Sequence, residues 1–461
     1  MKIPPHERLT LSNGVRLILL PAHEVPLIAF EAAVRGGCRL DPAGYEGVGS
    51  LAAELLTHGA GERDAYAFAD AVEGAGGSLD ADAHREATIV HGQFLARDRE
   101  LLLELLADAL LRPHFDATEL DKLRERRIEG IRAAKDSDPQ SLLGTYGRGL
   151  LFGAHPYGKP GGGSEASLAA VGRDAVLRLY REHFGADRLT LVFAGDFDPG
   201  SLKDAVARRF EALRPAGAAL PPLAAPARAV GRRVLLIDSP GSEQSYFWIG
   251  NVGVARAYAL RAALDVTNTA FGGSFGSMLM QALRVRTGLT YSAYASFRRG
   301  SVPGEFAIHS FTQTDSTRRA LDIALETLRV LKRRGVAAAA IDSARSYILG
   351  QYPLGFETAA DWAAALADLE LYELPQSYID EYDPALRRVD ARQVREVTAA
   401  AFPEPDDVDI ALIGDAARIR SEAAAFGSVL ETTLAAPSFA ASSSTDPGMA
   451  VAAALDANSS A

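Results

Sequence analysis

The sequence predicts an α+β fold made of two homologous repeats, each a mixed, antiparallel-rich sheet with helices packed on one face. Three observations predict it. Strand patterns and long amphipathic helices mix without strict β-α-β alternation. An apolar strand ending in Gly-Asp occurs twice, about 220 residues apart, as LTLVFAGDFDP (Leu189 to Pro199) and VDIALIGDAAR (Val408 to Arg418). Each copy follows an amphipathic helix that ends at a phenylalanine, Phe184 or Phe402. Upstream, ELDKLRERRIEGI (Glu119 to Ile131) is echoed by AIDSARSYILGQY (Ala340 to Tyr352) at nearly the same offset. The repeats are read as 1–215 and 228–435. They are joined by a linker, 216–227, inside the Pro-, Ala- and Gly-rich stretch RPAGAALPPLAAPARAVG. From Ala436 the chain turns small, polar and rich in Ser and Ala, so 436–461 is expected to be a disordered tail.

The elements of the first repeat follow in order. LTLSNGVRLILLP reads as strand, Asn-Gly turn, strand, a strong hairpin signal. PLIAFEAAVRGG is a third strand. GVGSLAAELLTHG is a helix with Leu51, Leu55 and Leu56 on one side, and RDAYAFADAVEGAG is a second helix stopped by glycine. ATIVHGQFL is a strand. DRELLLELLADALLRP is a helix stopped before Pro113, and ATELDKLRERRIEGIRAAK a charged amphipathic one. GGG at Gly161 to Gly163, after HPYGKP, reads as a mobile surface loop.

Composition narrows the function classes. Of 461 residues, 48% are apolar and 23% charged, as in ordinary globular proteins, and the net charge of -11 disfavours a nucleic-acid partner. Cys38 is the single cysteine, which excludes an intrachain disulfide and a thiolate metal cluster; in AAVRGGCRL it reads as a buried, inert thiol. No run of 18 apolar residues is present, so no membrane insertion is expected. MKIPPHERLTLSNG lacks the apolar core of a signal peptide, so the cytoplasm is the expected location, with export alongside a partner left open.

The opening hairpin, RGGCRLDPAGYEGVGSLAAEL, LLRPHFDATELDKLRERR, LFGAHPYGKPGGG and AFGGSFGSMLMQALRVRTGLTYSAYASF occur in one ordered set. This set resembles the pitrilysin/insulinase family of zinc peptidases, which includes the processing-peptidase subunits and has the LuxS/processing-peptidase-like fold. The resemblance runs from about Leu9 to Arg418. Active members carry His-x-x-Glu-His on a helix. Histidines four apart share one helix face and ligate zinc, and the Glu between them acts as general base on the zinc-bound water. A Glu about 76 residues further on supplies the third ligand, with a supporting acid earlier on the same helix. Here the resemblance places Ser50 and Glu54 at the two His positions, Ala53 at the catalytic Glu, Leu123 at the supporting acid and Gly130 at the third ligand. Of the five, only Glu54 is able to bind metal, so no metal site is expected on this chain.

Ligands from elsewhere are not apparent. No two of the nine histidines stand three or four apart, and His84 and His91, seven apart around a predicted strand, are expected on opposite faces. Glu54 and His58 read as an ordinary polar pair near a helix end. A Ser50–His58 nucleophile–base pair would span about 12 Å of helix rise, too far for a hydrogen bond.

The second repeat holds Arg284 and, seven residues on, Tyr291, after the Gly-rich turn FGGSFGSML. In the family an Arg/Tyr pair grips the substrate backbone opposite the zinc-bearing half. The resemblance therefore implies substrate binding by Arg284 and Tyr291, with Gly272 and Gly273 letting a peptide backbone approach. A guanidinium offers a fork of donors to peptide carbonyls, and a phenol beside it can steer substrate or an oxyanion. From spacing alone, the favoured reading is structural, with Arg284 capping a helix terminus or pairing with an acid and Tyr291 a half-buried strand residue; the surrounding resemblance turns the balance toward substrate binding. Met278 departs from the arginine often found after this turn. The implied function is a non-catalytic, substrate-binding subunit of a heterodimeric zinc endopeptidase, with zinc and the His-x-x-Glu-His motif on a homologous partner and peptide as substrate. The alternative is a structural or assembly protein of the same fold.

Overall fold

The computed structural model describes residues 1–440. Twelve strands form two six-stranded sheets. The first half contributes β1 (Glu7–Thr10), β2 (Arg16–Pro21), β3 (Leu27–Arg35), β4 (Ser78–Ala83), β5 (Ala87–Leu95) and β6 (Leu189–Gly195), in the order β1-β2-β6-β3-β5-β4. The second contributes β7 (Arg232–Asp238), β8 (Gln244–Val252), β9 (Ala293–Arg298), β10 (Glu305–Gln313), β11 (Val408–Gly414) and β12 (Ser428–Thr433), in the order β12-β7-β11-β8-β10-β9. Only β2–β6, β7–β11 and β7–β12 are parallel; the other pairs are antiparallel. The predicted hairpin pairs Thr10 with Arg16 around the Asn-Gly turn, where Gly14 adopts a φ of 98°. SLDADA, which forms the edge strand β4, carries no strand signal because it has no β-branched or aromatic residue and its exposed face is acidic.

Each half buries its own apolar core between one sheet face and its own helices. The opposite face of each sheet is covered by a helix from the other half. Helix Gln140–Phe152 of the first half lays Leu143, Tyr146 and Leu151 against Leu235, Trp248 and Ala411 of the second sheet. Helix Ala359–Leu371, about 220 residues later, lays Trp362, Ala363 and Leu366 against Ile18, Ala33 and Val192 of the first. Close approach dictates one residue of the exchange: a Cβ on Gly147 would stand 2.4 Å from the Trp248 ring. Arg8–Glu370 (2.9 Å) and Arg35–Glu373 (2.7 Å) lie at the rim of the other interface, between the first sheet and the end of helix Ala359–Leu371. Ala436 to Phe439, placed in the tail by composition, also cross between halves. Phe439 sits edge-on to Tyr146 at 5.1 Å, and the Pro437 carbonyl accepts from the Ala166 amide at 3.0 Å. Residues 441–461 of the expected tail lie outside the described residues.

Strand register makes the two halves comparable residue by residue. Gly195 and Gly414 end the equivalent strands β6 and β11, which makes Val192 and Ala411 equivalent. Their cross-strand partners are Glu31 and Trp248, and those pair in turn with His91 and His309. The edge strands add Asp80 and Tyr294. The second half thus carries an aromatic row, Trp248–His309–Tyr294, with Tyr294 stacked flat on His309 at 4.8 Å. The first half carries a polar one, Glu31–His91–Asp80.

Both tryptophans lie at exchange interfaces, so single-tryptophan variants Trp248→Phe and Trp362→Phe should report one shared urea midpoint by fluorescence. Trp248 is fully buried, and Trp248→Ala should cost about 3–5 kcal/mol in the same titration. Burial, with Arg298 and Arg148 nearby, pushes the His309 imidazole down to about 4. The unfolded chain then binds the extra proton first, so stability should fall as pH drops from about 6.5 toward 4. His309→Phe should flatten that limb in urea midpoints measured across the window.

Candidate functional site

Helix Val48–Leu55 and the charged helix Ala117–Ser137 cross where the zinc-site positions lie. The resemblance put no cation there, yet Arg127 supplies one. Its Nη1 donates to Ser50 Oγ at 2.7 Å and its Nη2 to the Ser50 carbonyl at 3.2 Å. Its Nε and Nη2 donate to Glu54 Oε2 at 3.1 and 2.7 Å, and Arg126 holds the other carboxylate oxygen. A guanidinium fork thus bridges the two positions at which the family places histidine ligands. Ala53 is fully enclosed, Leu123 is buried in the first core, and Gly130 is exposed with open space where a side chain would project. His58 binds the Glu54 main-chain carbonyl at 2.8 Å, leaving the Glu54 carboxylate to the arginines. Zinc does not fit this donor set. One carboxylate, already engaged by two guanidinium groups, and one hydroxyl fall short of three ligands, and a fixed positive charge stands between them. Among the described residues no three His, Cys, Asp or Glu side chains are grouped to hold a metal ion. Arg127 had no signal in the sequence beyond its place in the charged run RERR.

The helix is braced from its N-terminal side. The Asp41 carboxylate accepts from the amides of Gly47 (2.7 Å) and Gly49 (3.0 Å), while burial pushes its carboxyl up to about 7 against the pull of those bonds. Gly47, at φ 94°, leaves no room for a side chain, since Gly163 lies 2.8 Å from where a Cβ would stand. The GGG stretch expected as a mobile surface loop is therefore packed: Gly163 is buried here, and Gly161 lies against Cys38. Cys38 is buried, its thiol directed at the carbonyls of Gly161 (3.3 Å) and Ala83 (3.4 Å), and burial pushes it up to about 12.

In the second half, helix Arg261–Asn268 widens into a π-helical turn, Thr269–Gly273, and a second π-helical segment spans Met280–Val285. Such segments are rare and concentrate at functional sites. Arg284 and Tyr291 are brought together, but through the main chain: Arg284 Nη1 donates to the Tyr291 carbonyl at 3.1 Å. The phenol itself is 79% exposed. Phe275, on the Gly-rich turn and also exposed, lies under the guanidinium at 4.9 Å, a contact the motif did not include. Gly272 departs from the expected role. It is buried against β9, where a Cβ would stand 2.6 Å from the Ala295 amide, so its smallness serves packing of the π-helical turn. Gly273 alone is exposed. The outer edge of β9, which begins two residues after Tyr291, pairs with no strand among the described residues.

A cleft of about 860 Å³ opens between the halves, lined by β3, β5, helix Ala359–Leu371 and the turn after β9. His84 and His91 both line it, contrary to the expectation from their spacing. The alternation rule applies only along a continuous strand, and His84 lies outside β5, in the β4–β5 turn. No helix among the described residues is long and apolar enough to cross a membrane.

The fold and this site define a class: a two-repeat metallopeptidase fold in which an arginine bridges the former metal-ligand positions. The family model described as Insulinase (Peptidase family M16) matches residues 26–146, and that described as Peptidase M16 inactive domain matches residues 170–348. The chain belongs to this peptidase M16, or pitrilysin/insulinase, family. It is 27% identical over 397 residues to an uncharacterized zinc protease of Mycobacterium tuberculosis, covering 86% of this chain and 89% of that one. It is 23% identical over 397 residues to the non-peptidase homolog YmxG of Helicobacter pylori, covering 85% and 90%. Among solved structures, a peptidase M16 inactive domain from Pseudomonas fluorescens superposes with a TM-score of 0.82 at 22% identity, covering 89% of this chain and 98% of that one. The inactive-domain match and the likeness to a non-peptidase homolog accord with a member lacking a peptidase centre of its own.

Two outcomes test the arginine bridge. The purified chain should carry no stoichiometric zinc by elemental analysis, and a chelator should leave its thermal midpoint unchanged. Arg127→Ala should cost about 1–2 kcal/mol in urea titration, because charge-assisted bonds at a partly exposed site are lost together.

Proposed function

We propose that this chain is the non-catalytic, substrate-binding subunit of a heterodimeric zinc metalloendopeptidase. One observation carries the reading. The zinc-ligand positions are closed by Arg127, while Arg284 and Tyr291 stand together and accessible beside the unpaired edge of β9. In this reading a homologous partner holds the zinc and its His-x-x-Glu-His helix, and peptide or unfolded chain lies extended between the two subunits. Arg284 is already oriented by the Tyr291 carbonyl and by Phe275, and its remaining N–H groups serve substrate carbonyls. The exposed Tyr291 phenol steers the backbone or donates to an oxyanion developing on the carbonyl that the partner's zinc polarises. Gly273 leaves the approach open on this side.

The test is reconstitution. Peptide hydrolysis should appear only when this chain is mixed with a homologue carrying His-x-x-Glu-His; equal activity from the homologue alone would sink the reading. In the active mixture, Arg284→Ala or Tyr291→Phe should lower kcat/KM by about tenfold or more, the scale of one lost transition-state donor, while gel filtration still shows the heterodimer. If neither substitution moves turnover, the protein is a structural or assembly member of the fold.

A further inference from the structure

The two exchange interfaces are built alike but filled differently. In the second half, Trp248 is fully buried beneath helix Gln140–Phe152, and His309 and Tyr294 continue the aromatic row. In the first half Glu31 occupies the position equivalent to Trp248, and Glu31 and His91 line the cleft of about 860 Å³. Glu31 has no hydrogen-bond or ion-pair partner among the described residues, and burial alone pushes its carboxyl up to about 7. An unpaired, half-buried carboxyl costs stability, and the second half shows that this fold accepts an aromatic filling at the same register. A local rule broken with no compensating contact directs attention to function at that position.

The groups facing Glu31 across the cleft set the chemistry. Arg85, Arg256, Arg298 and Arg299 all line it. The carboxylates there are engaged: Asp368 by Arg256, Asp361 by the Thr358 amide (2.9 Å), and Glu86 by the Tyr157 hydroxyl (2.6 Å) and the Ser301 amide (2.9 Å). The guanidinium groups are matched less closely: Arg298 stands 3.6 Å from Glu305, a carboxylate it shares with Arg148. Arg85 lies over the Tyr157 ring with no carboxylate partner among the described residues. Arg299 reaches Asp265, outside the cleft, at 3.1 Å. Arg299 Nη1 and Arg256 Nε are enclosed without an acceptor. The cleft wall therefore carries more guanidinium hydrogen-bonding capacity than its own carboxylates take up.

We infer that the cleft between the halves binds a small polar anion, a carboxylate or phosphate that also carries a hydroxyl or amino group. The arginines take its charge, and Glu31 takes the second group. A site of this volume suits a metabolite-sized ligand. Because Arg85 belongs to the first half and Arg298 and Arg299 to the second, the ligand would bridge the two.

The experiment is calorimetric titration of the full chain with citrate and with inorganic phosphate, against sodium chloride at matched ionic strength. Saturable binding of at least one anion, one per chain, is expected; the anion that binds identifies carboxylate or phosphate as the preferred group. Arg85→Gln with Arg298→Gln should weaken binding at least about tenfold, since both lose charge-assisted contacts. Arg298 is largely exposed, so Arg298→Gln alone should stay folded by circular dichroism and still bind more weakly than the unchanged chain. Glu31→Trp, which copies the second half, should abolish binding by filling the cleft. No saturable heat with either anion, or undiminished affinity in the double arginine variant, would overturn the inference.

Discussion

The structure depends on a mutual covering. Each sheet has one face served by its own helices and another whose apolar residues would meet water if the opposite half were absent. Helix Gln140–Phe152 closes one such face and helix Ala359–Leu371 the other. Burial of this kind is non-directional, so the seating comes from shape: Trp248 enters the space left by Gly147, while Arg8–Glu370 and Arg35–Glu373 add contacts at the rim of the other interface. The cleft, the π-helical turns and the arginine bridge all hold their places relative to this paired frame.

Much of the frame was legible in the sequence, for physical reasons. The Gly-Asp strand ends, the Asn-Gly hairpin and the amphipathic helices are local signals, and the structure realises them within a residue or two, except that the helix of GVGSLAAELLTHG stops four residues early, at Leu55. What stayed hidden was non-local. Nothing in QSLLGTYGRGLLF says that its apolar face lies on the other repeat's sheet. SLDADA lacks the large β-formers that mark a strand. His84 and His91 meet in one cleft because a turn falls between them, and the tail's first residues dock through a single aromatic, Phe439, that composition could not weigh.

The candidate site was half legible. Absences are easy to read once a helix is aligned, and Ser50, Ala53 and Glu54 mark the loss of ligands directly. The compensation is harder to see. Arg127 sits in RERR among other charges, and only the crossing of two helices shows that its guanidinium occupies the space between Ser50 and Glu54. A metal ion and a guanidinium do one thing in common there: each holds two helices together through a positive charge. The substitution of one for the other keeps the frame while giving up the open coordination position that hydrolysis needs. Gly272 shows the reverse error, a glycine that looked like an opening for substrate and is spent on packing.

The reciprocal exchange also bears on ancestry. One repeat alone would display a bare sheet face and an apolar helix, and two copies related by a two-fold axis would satisfy each other completely. The present chain holds both halves of such an exchange in one polypeptide. In a true homodimer every substitution appears twice, so a site and its mirror image must change together. Joining the copies in one gene releases that bond. Here one interface is a solid aromatic joint at Trp248 and the other opens around Glu31, a difference that two identical chains related by symmetry would not allow.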